Sequence, residues 1–394
     1  MPATMTTVSA LTKEIYEGSL RKQLNDEAVA LKRLEKTTEG VTSDVGGKYV
    51  TFPIHTTRNA GIGARNELEQ LPNAGQQGTA AARVGLKYLY GRVRLSGQTM
   101  ELASKNSQSF MSTLDLEMNG LKDDLRKDQN RQVYGDGIGG VHRITAAATT
   151  ATPTVAHTIW GQIGMQVDIT DSTGVTIKAS NRQITAITPT TVTFSGATQA
   201  VVIGDLITRT GSSTKEWTGL SKIVQSSGQL YNVDPSTTPV WTSEVDSNSG
   251  VNRALSEGLM INMIDRIRTR GGKTTVIFQS MGVRRAYFNL LTQQRRFTGT
   301  TKFDGGFSGL TFTTDLGEIP VVVDPDCPPN MQYFLNENEL KWYREADWSF
   351  MDRDGSMWQR VIDFDAYDAI MFQYSELGTH RRNSHGVIQD ITEG

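Results

Sequence analysis

The chain has 394 residues, with 40 Lys and Arg against 42 Asp and Glu and a formal charge of −2 at pH 7. That length suits two or three compact domains, and the charge balance excludes a global basic field that would hold nucleic acid. The single cysteine, Cys327, excludes an intrachain disulfide and points to a reducing cytoplasm. No signal-peptide pattern or long apolar run marks secretion or a membrane span.

Residues 9–34 read as an amphipathic helix, with Ser9 or Thr12 as cap and Leu11, Ile15, Leu24, Leu31 and Leu34 near helical spacing; Gly18 weakens it. Residues 37–47 form a polar linker. Two strands joined by a long glycine-rich tip follow. The rising strand, Lys48 to Arg58, puts Val50, Phe52 and Ile54 on one face. The returning strand, Arg83 to Ser96, puts Val84, Leu86, Tyr88 and Tyr90 in period 2. Its phase slips at Gly91, so Val93 and Leu95 continue on the other parity, which predicts a bulge or bend there. A ribbon this long is marginal by itself. It is expected to lean on another body, most simply a neighbouring copy.

Met100 to Val133 reads as one helix with the stripe Phe110, Leu114, Met118, Leu121 and Leu125. At 1.5 Å per residue it spans roughly 50 Å. Lys122, Asp123, Asp124, Arg126, Lys127 and Asp128 mark solvated faces near its end. Residues 145–213 then break into short β-patterned pieces at 166–170, 174–179, 183–187, 191–195, 200–202 and 206–209, separated by turn signals. They predict a small β-barrel or sandwich. Mixed α and β returns from 216. A helix is expected over 250–270, with Leu255, Leu259, Ile261, Met263, Ile264 and Ile267 buried and Gly271-Gly272 ending it. A strand over 274–279, a helix over 281–292 and strands at 316–324, 333–335, 340–344, 359–364 and 369–374 follow. The last two are assigned to the sheet beside the long helix. Residues 378–394 read as a polar surface tail.

Catalytic patterns are missing. Gly135-Asp-Gly-Ile-Gly-Gly140 has dinucleotide-loop spacing but follows a helix, where a phosphate site needs a preceding strand. His55, His142, His157, His380 and His385 form no metal pair, and His380 and His385 sit with Arg381 and Arg382 in the expected tail. Asp324/Asp326, Asp352/Asp354 and Asp363/Asp365 read as turns and solvated strand edges. No catalytic, cofactor or metal residue is assigned.

The tip carries Asn59, Gly61, Gly63, Ala64, Glu67, Leu71 and Pro72 in the order Asn-x-Gly-x-Gly-Ala-x-x-Glu-x-x-x-Leu-Pro. With the long helix and Tyr134-Gly-Asp-Gly137 behind it, the chain resembles the major capsid proteins of tailed bacteriophages with the Hong Kong 97 fold. The resemblance covers roughly 1–143 and 216–394, and Leu316-Gly-Glu-Ile-Pro-Val-Val322 resembles a family element. It implies an α+β fold: an N-terminal arm at 1–46, an extended-loop (E-loop) hairpin at 47–98, a peripheral (P) domain with the spine helix at 99–143, and an axial (A) domain at 216–345. Residues 346–394 supply P-domain strands and the tail; 144–215 is a small all-β insertion.

The resemblance further implies a shell subunit that forms pentamers and hexamers of an icosahedral head around double-stranded DNA, without sequence specificity, assembled in the host bacterial cytoplasm. Scaffolding, portal and decoration proteins are the implied partners besides the chain itself; membranes are not. Only about 45 residues precede the hairpin, so a separate scaffold, or none, is expected. Inter-subunit contact falls to Arg58, Asn59, Gly61, Gly63, Arg65, Glu67, Leu68, Glu69, Leu71 and Pro72. Arg58, Arg65, Glu67 and Glu69 are candidate ion-pair partners for neighbours. Lys48 and Lys87 lie outside the tip, so self-crosslinking is not expected. An encapsulin-like compartment shell is the alternative reading, and an enzyme with an unrecognised site the third.

Overall fold

The structure is a computed structural model that describes residues 27–37, 49–98, 107–295, 310–315, 317–352 and 355–394. It opens with a short helix α1 (Val29–Arg33) and strand β1 (Glu35–Thr37). Of the helix expected over 9–34, residues 9–26 lie outside the described residues, and Glu27, Ala28 and Leu34 are not helical. Strands β2 (Tyr49–Thr57) and β3 (Gly78–Gly85) pair antiparallel as the hairpin, and β4 (Lys87–Ser96) follows. The expected returning strand is therefore two strands with different partners. β4 leaves the ribbon and pairs along its whole length with the 14-residue strand Ala366–Thr379.

The parity change falls at Leu86, between the two ladders, and not at Gly91. In β3 the even residues Ala82 and Val84 are buried; in β4 the odd residues Gly91 and Val93 are. Gly91 has another cause. A Cβ there would sit 2.6 Å from Leu125 Cδ1 and 2.8 Å from Leu121 Cδ1, so its hydrogen side chain lets the long helix lie against β4.

That helix, α2 (Ser107–Val133), has 27 described residues, about 40 Å. Its last turn is buried though polar: Gln129, Asn130, Arg131 and Gln132 are at most 3% exposed. Asn130 accepts from Leu31 N–H (3.0 Å) and donates to Asp324 and to Asp326 (2.6 Å), while Asp324 accepts from Ala30 N–H (2.8 Å). The Asp324/Asp326 pair, expected at a solvated edge, thus joins α1, α2 and the 324–326 turn. Asp128, expected on a solvated face, lies against Arg131 (3.0 Å) and Arg209 (3.1 Å).

Next come β5 (Gly140–Arg143), β6 (Ala148–Thr150), β7 (Gln166–Thr170), β8 (Ile177–Ile187), β9 (Val192–Phe194), β10 (Gln199–Val201) and β11 (Leu206–Arg209). They form a five-stranded sheet in the order β5-β11-β7-β8-β9, with β6 and β10 as a separate pair. Val167, Ile169, Ile184, Val192 and Ile207 give it a core of its own. The strands expected at 174–179 and 183–187 are one strand, β8, with register shifts. Asn181 supplies the positive φ of 53° within it, and its N–H donates to Asp168 (2.8 Å).

The remainder contains α3 (Leu220–Ile223), β12 (Glu244–Asp246), α4 (Glu257–Thr269), β13 (Val276–Gln279), α5 (Met281–Arg295), β14 (Leu310–Thr314), β15 (Gly317–Val323), β16 (Gln332–Leu335), β17 (Leu340–Arg344), β18 (Ser349–Phe350), β19 (Gln359–Arg360), β20 (Ala366–Thr379) and β21 (Gly386–Ile388). One sheet runs β12-β21-β16-β13-β15-β14 beside α4 and α5; the other joins β1, β17, β20 and β18, with β4 and β19 also on β20. α4 starts seven residues later than the periodicity suggests, because the Ser256 side chain accepts from Leu259 N–H and caps it there. Leu255, Met263, Ile264 and Ile267 are buried as expected, whereas Ile261 is 47% exposed and Met260 takes its place in the core. The strand expected at 359–364 shrinks to β19.

The largest correction concerns residues 378–394. Thr379, Arg382, Ser384 and His385 are fully buried, and β21 lies between β12 and β16 inside the sheet. Arg382 donates to the carbonyls of Lys222, Ile223, Ser227, Gly228 and Trp241. Burial pushes the His385 imidazole down to about 3, so it is neutral; it contacts Thr379 Oγ1 (2.8 Å). The apparent basic tail is an interior strand whose buried Arg382 is met by backbone carbonyls.

Candidate assembly site at the hairpin

The ribbon is held at its base by alternate side chains. Val50 and Val84 are buried with Tyr343, and Phe52 meets the His380 ring edge-on at 4.7 Å. The backbone joins in, with Arg83 N–H donating to Tyr231 O (2.9 Å). The lower half of the hairpin therefore leans on its own chain, where a neighbour was expected.

At the root, Lys87 Nζ donates to Thr214 O (3.2 Å) on the limb returning from the five-stranded sheet. Close by, the Glu376 carboxylate accepts from Thr218 N–H (2.7 Å) and Leu377 N–H (3.1 Å). Glu376 is 1% exposed, and burial pushes its acid up to about 8. Hairpin root, return limb and β20 thus meet around a buried acid.

The tip, 58–77, is closed by a neck. A Cβ on Gly61 would lie 2.7 Å from Asn73 O and 2.9 Å from Gly75 N, so glycine is required where the two limbs touch. Asn59 Oδ1 accepts from Gly61 N–H (2.7 Å) and fixes the first turn. Beyond the neck, Arg65 donates to the carbonyls of Gln70 and Ala64 (2.8 Å each). Glu69 accepts from Asn66 N–H (2.9 Å) and Nδ2 (2.7 Å), which holds its carboxyl below its ordinary value. Arg65 and Glu69, expected to face neighbours, thus have a first role inside the loop.

The other residues singled out from sequence fall as follows. Arg58 and Glu67 are exposed, Pro72 is half-buried, and Gly63 lies beside the Arg65 guanidinium and Pro72. Leu68 is 101% exposed at φ +64° and Leu71 is 77% exposed. Ile62 was missed and is 82% exposed. Its signal was present: it is the one large apolar residue inside the Gly-Ile-Gly run. A preformed loop that offers three aliphatic side chains to solvent is built for contact.

Among the described residues no three His, Cys, Asp or Glu side chains converge as metal ligands, and no helix is long and apolar enough to cross a membrane. Cys327 is buried, and burial raises its thiol well above the ordinary value, so it is no ready nucleophile.

Residues 198–392 match the family model of the SU10 major capsid protein. Among solved structures, the chain is similar to one in the cyanophage A-1(L) capsid asymmetric unit, at 16% identity over 99% of this chain and 100% of that one, with a TM-score of 0.63. A chain from the capsid of a native GTA particle aligns at 8% identity over 100% of both chains, TM-score 0.55. One from Mycobacterium phage Bobi aligns at 10% identity over 99% of both, TM-score 0.51. No curated protein matches at the level of sequence. The mixed α and β fold is that of phage capsid proteins.

Proposed function

We infer that the chain is a major capsid protein of the tailed-phage kind, a structural component of the virion, whose copies close into pentamers and hexamers of an icosahedral head enclosing double-stranded DNA; the family-model match and the capsid folds of its structural neighbours support this reading. In this reading 47–98 is the extended loop, 1–46 the N-terminal arm and 144–215 the inserted β domain. Residues 99–143, with most of 346–394, form the peripheral domain and 216–345 the axial domain, to whose sheet β21 belongs.

One observation carries it: Ile62, Leu68 and Leu71 are 82%, 101% and 77% exposed on a tip that is internally hydrogen-bonded and anchored below the neck. The tip docks on the adjacent subunit. Burying one leucine contributes about 1.5–3 kcal/mol, against about 0–1 kcal/mol for an exposed ion pair such as Arg58 or Glu67 would make. The leucines therefore dominate, and repetition of the contact around closed symmetry makes the shell stable. The role is mechanical, not catalytic. With a charge of −2 the subunit encloses DNA without gripping it. Scaffold, portal and decoration proteins are partners in this reading, and assembly takes place in the host cytoplasm.

The test is deletion of 61–77. The neck brings Gly61 and Gly75 into contact, so a short splice preserves the ribbon below. The variant should remain folded by circular dichroism and fail to close shells by electron microscopy. Shells of normal size and yield would refute the clasp.

A further inference from the structure

The five-stranded β unit carries an aliphatic patch of its own. Val175 and Ile177 are 75% and 54% exposed, Val202 and Ile203 53% and 70%. They lie on or beside two turns, 171–176 between β7 and β8 and 202–205 between β10 and β11. The register brings both turns to one end of the sheet, because Thr170 pairs with Ile177 on one side and with Leu206 on the other. A Cβ built on Gly204 would lie 3.7 Å from Ser172 Cβ, so the turns adjoin. Lys178 bridges them, with Nζ 2.6 Å from Asp205 Oδ2.

The charges beside the patch are answered within the chain. Lys178 and Asp205 neutralise each other, and Asp205 Oδ2 also accepts from Val202 N–H (2.8 Å). Asp171 Oδ1 accepts from Thr173 N–H and Val175 N–H (3.1 Å each), which ties that acid back to its own turn. A two-fold contact sets each residue group opposite its own kind, so it needs an apolar surface free of opposing like charges. This patch meets that condition.

Size selects the partner. The four side chains present on the order of 400 Å². Two copies face to face would bury on the order of 800 Å², short of the roughly 1,200–2,000 Å² of a self-standing complex. A separate soluble protein would gain little from so small a patch, whereas copies already held side by side by other contacts meet at high effective concentration.

We propose that this patch meets the same patch of a second copy across a local two-fold axis, in a contact that forms only between assembled subunits. The inference rests on the shell reading, which supplies the other contacts; the hairpin tip takes no part in it.

Single-cysteine variants of the full-length chain test it, because the sole native cysteine, Cys327, is 2% exposed. Ile177→Cys and Ile203→Cys are assembled, with the neighbouring gene products where assembly requires them, and treated with a short bis-maleimide. Ile163→Cys, 69% exposed and just before Gln166 at the other end of β7, is the control. One accessible cysteine per chain can join only to its own equivalent, so a covalent dimer reports like facing like. The expected result is a dimer from at least one patch variant in particles, and none from the unassembled subunit or from Ile163→Cys. Adding Val202→Asp should abolish that dimer by setting two like charges face to face. Particles that give no dimer from either patch variant would overturn the inference and leave the shell reading standing. Equal dimer yield from Ile163→Cys, or a dimer undiminished by Val202→Asp, would overturn it as well. A chain that forms no particles in any of these mixtures would remove the shell reading and this inference together.

Discussion

Glu376 shows how one side chain couples the parts of the subunit to pH. Its acid is raised from an ordinary 4.5 to about 8 by burial, against the stabilising N–H groups of Thr218 and Leu377 and the charge of Lys87. The folded state therefore keeps a proton that the unfolded chain releases. Stability from this group is fully present below about pH 4.5 and is lost as pH rises through about 8. Glu376→Gln should remove that slope and raise stability at pH 8 by about 1–2 kcal/mol. Chemical denaturation of both proteins at pH 5 and pH 8 measures it, and an identical slope in the variant would contradict the assignment. Arg382 makes the opposite case of a buried charge fully met by carbonyls. Arg382→Ala should cost about 3 kcal/mol, with Arg382→Lys recovering only part because it lacks the planar fork. A denaturant midpoint for Arg382→Ala equal to wild type would rule that out.

At the scale of elements, two glycines of α2 and its neighbourhood predict contrary outcomes. A Cβ on Gly219 would stand 2.3 Å from Gln132 O and 2.6 Å from the carbonyls of Val133 and Gly135, none of which can move without unwinding the helix end. Gly120, within α2, has nothing within 4 Å of its added Cβ. Gly219→Ala should destabilise by about 2–4 kcal/mol, and Gly120→Ala should stabilise by about 0.5–1 kcal/mol through backbone entropy. Thermal melts of the two variants read both signs at once.

The same elements show what sequence can and cannot convey. β7 and β11 match their expected spans, 166–170 and 206–209, because short strands flanked by turn residues are locally encoded. The ribbon was also legible from period 2. Its division at Leu86 was not, since a change of partner strand leaves no local mark, and Gly91 offered a misleading one. The interior fate of 378–394 was hidden for another reason. Arg382, His385 and Thr379 look solvated by type, and only distant carbonyls such as those of Ile223 and Trp241 make them core residues. At the tip, the glycines and the leucines stood out in the sequence, but the neck that Gly61 closes against Asn73 and Gly75 did not. Nor did the internal duties of Arg65 and Glu69, because hydrogen bonds to one's own loop depend on its closed shape.

The whole molecule divides labour between a packed body and an exposed apolar tip. The body ties buried polar side chains to backbone N–H groups, as at Asn130 and Asp324, and pins the hairpin base through Phe52 and Val84. Beyond the neck, three large aliphatic side chains stand in solvent on one internally hydrogen-bonded loop. Leu68→Asp with Leu71→Asp should therefore leave the subunit's melting temperature within about 2 °C of wild type, as expected for surface changes, while abolishing shells. The most direct measurement is an electron cryomicroscopy reconstruction of the particles that the chain forms, alone or with its neighbouring gene products. Leu68 and Leu71 should lie buried against a second copy in pentamers and hexamers alike. A map with both leucines in solvent, or folded back on their own subunit, would contradict it.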